Sequence, residues 1–176
     1  MKVDIRPIIR DHFASIERGN VNKRPYFDYF IFFGLPVAMG IVAFYLRVEL
    51  GRDSYNASIT FFGIFIALLL NIQMAMFSIY QRKTDAPQDD VMNIIHDEQV
   101  ELRRQLLEEL NSNASYLILV CCVALVMCLS SYVFEIEWVL MSALTIVIYS
   151  HFLLTMLMVV KRTHALFQRE YVRDVS

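Results

Sequence analysis

Residues 60–82, "TFFGIFIALLLNIQMAMFSIYQR", decide the fold. The stretch carries no charge before Arg82, and at a helical rise of ~1.5 Å per residue it crosses a hydrocarbon core ~30 Å thick. Two amides, Asn71 and Gln73, stand at its centre, where lipid offers no hydrogen-bond partner. In steps of about four, Gly63, Ala67, Asn71, Ala75 and Ser78 form a small-residue stripe, the pattern that lets membrane helices approach closely. Asn71 is therefore expected to hydrogen-bond across a tight helix contact. Gln73 lies about 200° away around the helix, on a face shared with Ile66, Leu69, Leu70 and Phe77. It is expected to meet a second surface, either a subunit interface or a wet cavity. Two opposed amides on one helix predict a homo-oligomer in the lipid bilayer.

Working outward, uncharged runs at 26–46, 57–80, 114–134 and 138–160 repeat the same signature. The chain is 57% hydrophobic with mean hydropathy +0.46, and its charged residues retreat into blocks between these runs. This predicts an all-α integral membrane protein with four transmembrane helices, since helices satisfy every backbone group in short separate spans. Lys2, Arg6, Arg10, Arg18, Lys23 and Arg24 precede the first run, Arg82, Lys83, Arg103 and Arg104 lie between the second and third, and Lys161, Arg162, Arg169 and Arg173 follow the fourth. The other two loops hold only Arg47 and Arg52. The bias predicts cytoplasmic termini and a cytoplasmic central loop. The organisation is then a cytoplasmic amphipathic segment (1–25), transmembrane helices 1 and 2 (26–80), a cytoplasmic helical stalk (81–113), transmembrane helices 3 and 4 (114–160) and a cytoplasmic tail (161–176). The charged N-terminus is unlike a cleavable signal peptide. Gly34, Pro36 and Gly40 predict a kink in the first span.

Ile5, Ile8, Ile9, Phe13 and Ile16 recur at helical spacing between charged residues. They read as a helix on the membrane surface, with Ile5, Ile9, Phe13 and Ile16 in the lipid, or as a stripe packed on the protein's own bundle. In the stalk, Ile95, Leu102, Leu106 and Leu110 form another apolar stripe. No Gly or Pro interrupts residues 91–134, so the third membrane helix is expected to begin near Asp89 and run about 45 residues, roughly 65 Å. The "NSN" at 111–113 could break it at the membrane surface. The acidic stalk wants a partner for its apolar face: the basic tail, the N-terminal helix, another subunit, or a separate cytoplasmic protein.

His151 lies near the middle of the fourth span, about ten residues from Lys161, as Asn71 lies about eleven from Arg82. Their matching depths make the two a candidate pair, and Asn71, Gln73 and His151 are candidates for polar packing or for lining a pore. His12, His96 and His164 read as cytoplasmic. Cys121, Cys122 and Cys128 fall within one apolar run and read as packing residues. No phosphate loop, nucleophile elbow or zinc signature occurs, so neither enzyme activity nor a metal or cofactor is expected. A net charge of −2 gives no basic field for direct nucleic-acid binding.

In size and span layout the chain resembles the small four-span membrane subunits of bacterial anti-phage defence systems, the Kiwa-type membrane subunit among them. The resemblance is architectural, and no functional residue is carried over from it. It implies an inner-membrane oligomer that senses phage attack and works with a separate cytoplasmic, nucleic-acid-binding partner. The expected function is thus an oligomeric inner-membrane subunit coupling a membrane event to a cytoplasmic partner. The alternative is a homo-oligomeric channel or pore-forming effector.

Overall fold

A computed structural model describes residues 4–18, 30–81, 90–136 and 138–175, with side chains described for 4–14, 30–81, 100–136 and 138–164. All regular structure among them is helical: α1 (Arg6–Arg18), a π turn (Phe30–Gly34) leading into α2 (Leu35–Tyr45), α3 (Arg52–Gln81), α4 (Asp90–Val133) and α5 (Val139–Val175). Three stretches are long and apolar enough to cross a membrane: Arg52–Gln81, Val100–Val133 and Val139–His164. The apolar helix Phe30–Tyr45 is shorter, and the remainder of the first predicted span lies outside the described residues.

The core is a heptad seam. Tyr55, Phe62, Leu69 and Met76 are buried on α3 at seven-residue intervals. Opposite them, α4 buries Leu107, Leu110, Ala114, Leu117, Cys121, Ala124 and Cys128 in alternating steps of three and four. A 3.5-residue period keeps two helices in register along their whole length. The small residues on α4 admit the Phe62 and Leu69 side chains. Cys121 and Cys128 serve this packing, buried and unbridged, while Cys122 is exposed.

α5 completes a three-helix core. Phe61, Phe62 and Phe65 of α3 reach its Tyr149 and Phe152, with ring centroids 4.8 to 5.7 Å apart. α2 packs along the far side of α5. A Cβ added at Gly40 would meet Val147 Cγ2 at 2.2 Å, so only glycine lets the two helices come this close. Buried Ala43 and Ala143 continue the seam. The close approach that the sequence assigns to the Gly63 stripe therefore occurs at Gly40, whereas a Cβ on Gly63 would meet nothing within 4 Å.

Two helix ends share one solution. After α2 the Val48 N–H donates to the Ala43 carbonyl and Arg47 N–H to Phe44. After α4 the Ile136 N–H donates to Ser131. The pivots, Arg47 and Glu135, have φ of 51° and 53°, the left-handed conformation that usually selects glycine at this position. The loop before α3 is tied to α5 by the Leu50 N–H donating to Ser142 Oγ at 2.9 Å.

α4 runs 44 residues without a break, close to the length the sequence predicts. The "NSN" segment does not interrupt it: Asn111 and Asn113 accept through their side-chain oxygens from Gln73 and His12 on other helices, and Asn113 Nδ2 donates to the Glu109 carbonyl one turn back on α4 itself.

Candidate functional site

Pro36 sets the site in motion. Lacking an N–H, it cannot donate to the Phe32 carbonyl one turn back. The vacancy is filled by His151 Nδ1, which donates to that oxygen at 2.9 Å. With Nδ1 protonated, Nε2 is an acceptor, and the Tyr116 hydroxyl donates to it at 2.8 Å. The Tyr116 ring in turn stacks face to face on His12, centroids 3.8 Å apart and 4° from parallel. His12 Nδ1 donates to Asn113 Oδ1 at 2.7 Å, and Asn113 Nδ2 donates to the Glu109 carbonyl at 2.7 Å. The acceptor role of Asn113 Oδ1 places a proton on His12 Nδ1.

This chain of contacts joins α1, the π turn, α4 and α5. His12 and Asn113 are fully buried, and Phe13 stacks on Phe33 with centroids 5.4 Å apart. One turn beyond, Arg162 of α5 pairs with Glu109 of α4 at 3.0 Å, both nearly sealed from solvent. Burial pushes the His12 pKa down to about 4. The Asn113 bond opposes that shift, and the neighbouring His151 and Arg162 reinforce it. Between α1 and α4 lies a polar cavity of about 470 Å³, lined by Pro7, Ile8, Asp11, Glu108 and Ser112 among others. The arrangement holds two imidazoles and an aromatic ring in one path of hydrogen bonds and a ring stack from the centre of α5 to the N-terminal helix. No group of three or more His, Cys, Asp or Glu side chains able to hold a metal ion occurs among the described residues.

On the opposite flank of α4, Gln73 Nε2 donates to Ser115 Oγ at 2.7 Å and to Asn111 Oδ1 at 3.3 Å. The sequence expectation for the two amides is thereby reversed. Gln73 is satisfied inside the chain by α4. Asn71, with Ala67, Ala75 and Ser78, faces away from the bundle and makes no side-chain hydrogen bond among the described residues. The reason is the heptad seam: placing Leu69 and Met76 on α4 turns position 71 outward and position 73 to the side. Asn71 and His151 do not pair, because His151 is already bonded to Phe32 and Tyr116.

His12, read from sequence as a cytoplasmic histidine, lies in the interior. Its helix is not simply laid on a membrane surface: Phe13 packs on Phe33, Ile8 and Ile9 are half-buried, and only Ile5, at 42% exposure, stands clear. The Ile16 side chain lies outside the described residues. In the stalk, Leu110 belongs to the core and Leu106 packs against it, leaving Leu102 exposed. The Ile95 side chain also lies outside the described residues. Charge pairing of stalk and tail occurs as Glu109–Arg162.

The residues that sequence reading overlooks are His12, Asn113, Tyr116 and Arg162. One signal was present: a proline four residues after Phe32 announces a carbonyl in need of a donor. No family model, curated protein or solved structure matches this chain.

Proposed function

We propose that this chain is an oligomeric inner-membrane subunit that couples a membrane event to a cytoplasmic protein partner. Four membrane-crossing helices and cytoplasmic termini complete the picture. The role we favour is that of a sensor or anchor in a bacterial anti-phage defence system, in keeping with the architectural resemblance described above. The observation that carries the coupling is the path of hydrogen bonds and one ring stack from His151 through Tyr116 to His12 and Asn113. A shift of α5 against the π turn breaks the His151 bonds, moves Tyr116 and loosens the seat of α1. Membrane-level motion thus reaches the helix and stalk on which a cytoplasmic partner would dock.

Oligomerisation is supported by Asn71. An amide facing hydrocarbon is costly, and a second copy of the small-residue stripe offers it a partner. The pore-forming alternative draws no support from Gln73 or His151, since both are hydrogen-bonded within one chain.

The test is plating efficiency of a phage panel on cells carrying the natural gene cluster, with this gene intact, deleted, or changed at Val100→Glu and Leu102→Glu. Both positions are exposed on the stalk. Protection lost in the deletion and in the stalk variants supports the reading. Equal plaquing on all strains rejects the defence role. Ion flux through vesicles containing the purified protein would instead favour a pore.

A further inference from the structure

At the end of the bundle opposite the histidine network, the start of α3 and the end of α4 enclose a second cavity, of about 300 Å³, lined by Arg52, Tyr55, Ser131 and Glu135. Tyr55 lies eighteen residues before Gln73, roughly 27 Å along the helix. Its ring is locked into the heptad seam, and the residue is 1% exposed. Its hydroxyl is buried with no hydrogen-bond partner among the described residues. A buried hydroxyl without a partner calls for an occupant that supplies one. Ser131 beside it is also buried.

The rim carries one charge of each sign. Arg52 and Glu135 approach to 3.2 Å, and both remain largely exposed. Glu135 owes its place to the left-handed turn that ends α4. The Arg52 guanidinium lies 4.7 Å over the centroid of Tyr132 and so occupies that aromatic face.

We propose that this cavity binds the headgroup of a zwitterionic phospholipid bearing a primary amine, the phosphatidylethanolamine class. The phosphate oxygens accept from Arg52 and Tyr55, and the ammonium donates to Glu135. A guanidinium with five donors and a carboxylate with about four acceptor sites each keep capacity beyond their mutual bond. An anionic headgroup without an amine meets Glu135 unfavourably. A choline headgroup has no N–H for Glu135, and the nearby aromatic face that could cradle its quaternary nitrogen is taken by Arg52. A cavity of this size is at the small end of ligand pockets, which suits a headgroup whose chains stay outside. The proposal rests on the membrane placement of α3 and α4, and not on any role in defence.

The test is native mass spectrometry of the full chain released from detergent with added phosphatidylethanolamine, phosphatidylcholine or phosphatidylglycerol. Ethanolamine lipid is expected to be retained about tenfold better than the other two, the effect of one charge-assisted hydrogen bond. Tyr55→Phe keeps the ring and removes only the hydroxyl, and it should lower retention of that lipid. Glu135→Gln, on an exposed side chain, should erase the preference over choline lipid. Equal retention of the three lipids, or a preference unchanged in both variants, overturns the proposal and leaves a water-filled cavity. Displacement by soluble phosphoethanolamine at equal concentration overturns the lipid assignment in favour of a free amino-phosphate.

Discussion

His151 donates its Nδ1–H to the Phe32 carbonyl at 2.9 Å, the acceptor that Pro36 cannot serve. The contact is a repair of one helix by another. It also fixes the His151 tautomer, and with it the direction of the Tyr116 hydrogen bond.

His151→Leu leaves both the Phe32 carbonyl and the Tyr116 hydroxyl without their partner. The expected loss is about 2 kcal/mol or more. Pro36→Ala restores an N–H one turn after Phe32 and should recover about 1 kcal/mol of that loss in the double variant. Thermal unfolding in detergent of the four proteins of this cycle measures it. Additive losses would show that the two residues do not share an acceptor.

Acid should undock α1. The folded-state pKa of His12, about 4, lies below its ordinary value of 6.5, so the docked helix favours the neutral ring. Docking is strongest above pH 6.5 and weakens as pH falls toward 4, by about 2 kcal/mol at pH 5. Among the described residues, the groups facing His12 include Tyr116 and Asn113 on α4 and His151 and Arg162 on α5. Burial, His151 and Arg162 all disfavour the charged ring, and Glu109 is paired with Arg162. Hydrogen exchange of residues 6–18 between pH 7 and pH 5 should show the loss of protection, and His12→Asn should flatten it.

Asn71 and Gln73 should respond oppositely to leucine. Gln73→Leu removes the bonds to Ser115 and Asn111 and should destabilise the single chain by ~0.6–2 kcal/mol. Asn71→Leu should leave the chain's own stability unchanged while reducing oligomer recovery after crosslinking in native membranes. A drop in monomer stability for Asn71→Leu would contradict its outward placement.

Arg47→Gly should stabilise the turn after α2 by about 1 kcal/mol, because glycine adopts φ near 51° without the steric cost borne by a side chain. The same change at Glu135 would add the loss of the Arg52 ion pair, so its gain should be smaller. Unfolding midpoints of the two variants compare them directly.

The apolar helices were legible because lipid-length hydropathy is a strong signal, and the length of α4 because nothing between 91 and 134 stops a helix. The faces were not. Outside a membrane, an exposed Leu68 or Phe77 would argue against its own placement, but lipid removes that penalty and with it the usual inside–outside contrast. Two stripes on α3 were therefore readable, Gly63–Ala67–Asn71–Ala75 at a spacing of four and Tyr55–Phe62–Leu69–Met76 at seven. Only the matching 3.5-residue period on α4, from Leu107 to Cys128, distinguishes them. His12 was hidden for another reason: among Arg6, Arg10 and Asp11 nothing local marks one polar residue as buried, and its partners lie a hundred positions away.

The seam between Gly40 and Val147 bears on the order of synthesis. Its two sides are about a hundred residues apart in the chain, so at ~5–20 residues per second α2 exists for roughly 5–20 s before α5 has been made. In the membrane reading proposed above, the shortest of the apolar helices is therefore also the one that waits longest for its partner. The α3–α4 seam can close in the meantime, and α5 arrives on a surface already formed. Insertion of α2 would then hang on the ribosome-bound stage of the protein's life, well before the contact at Gly40 can contribute to holding it.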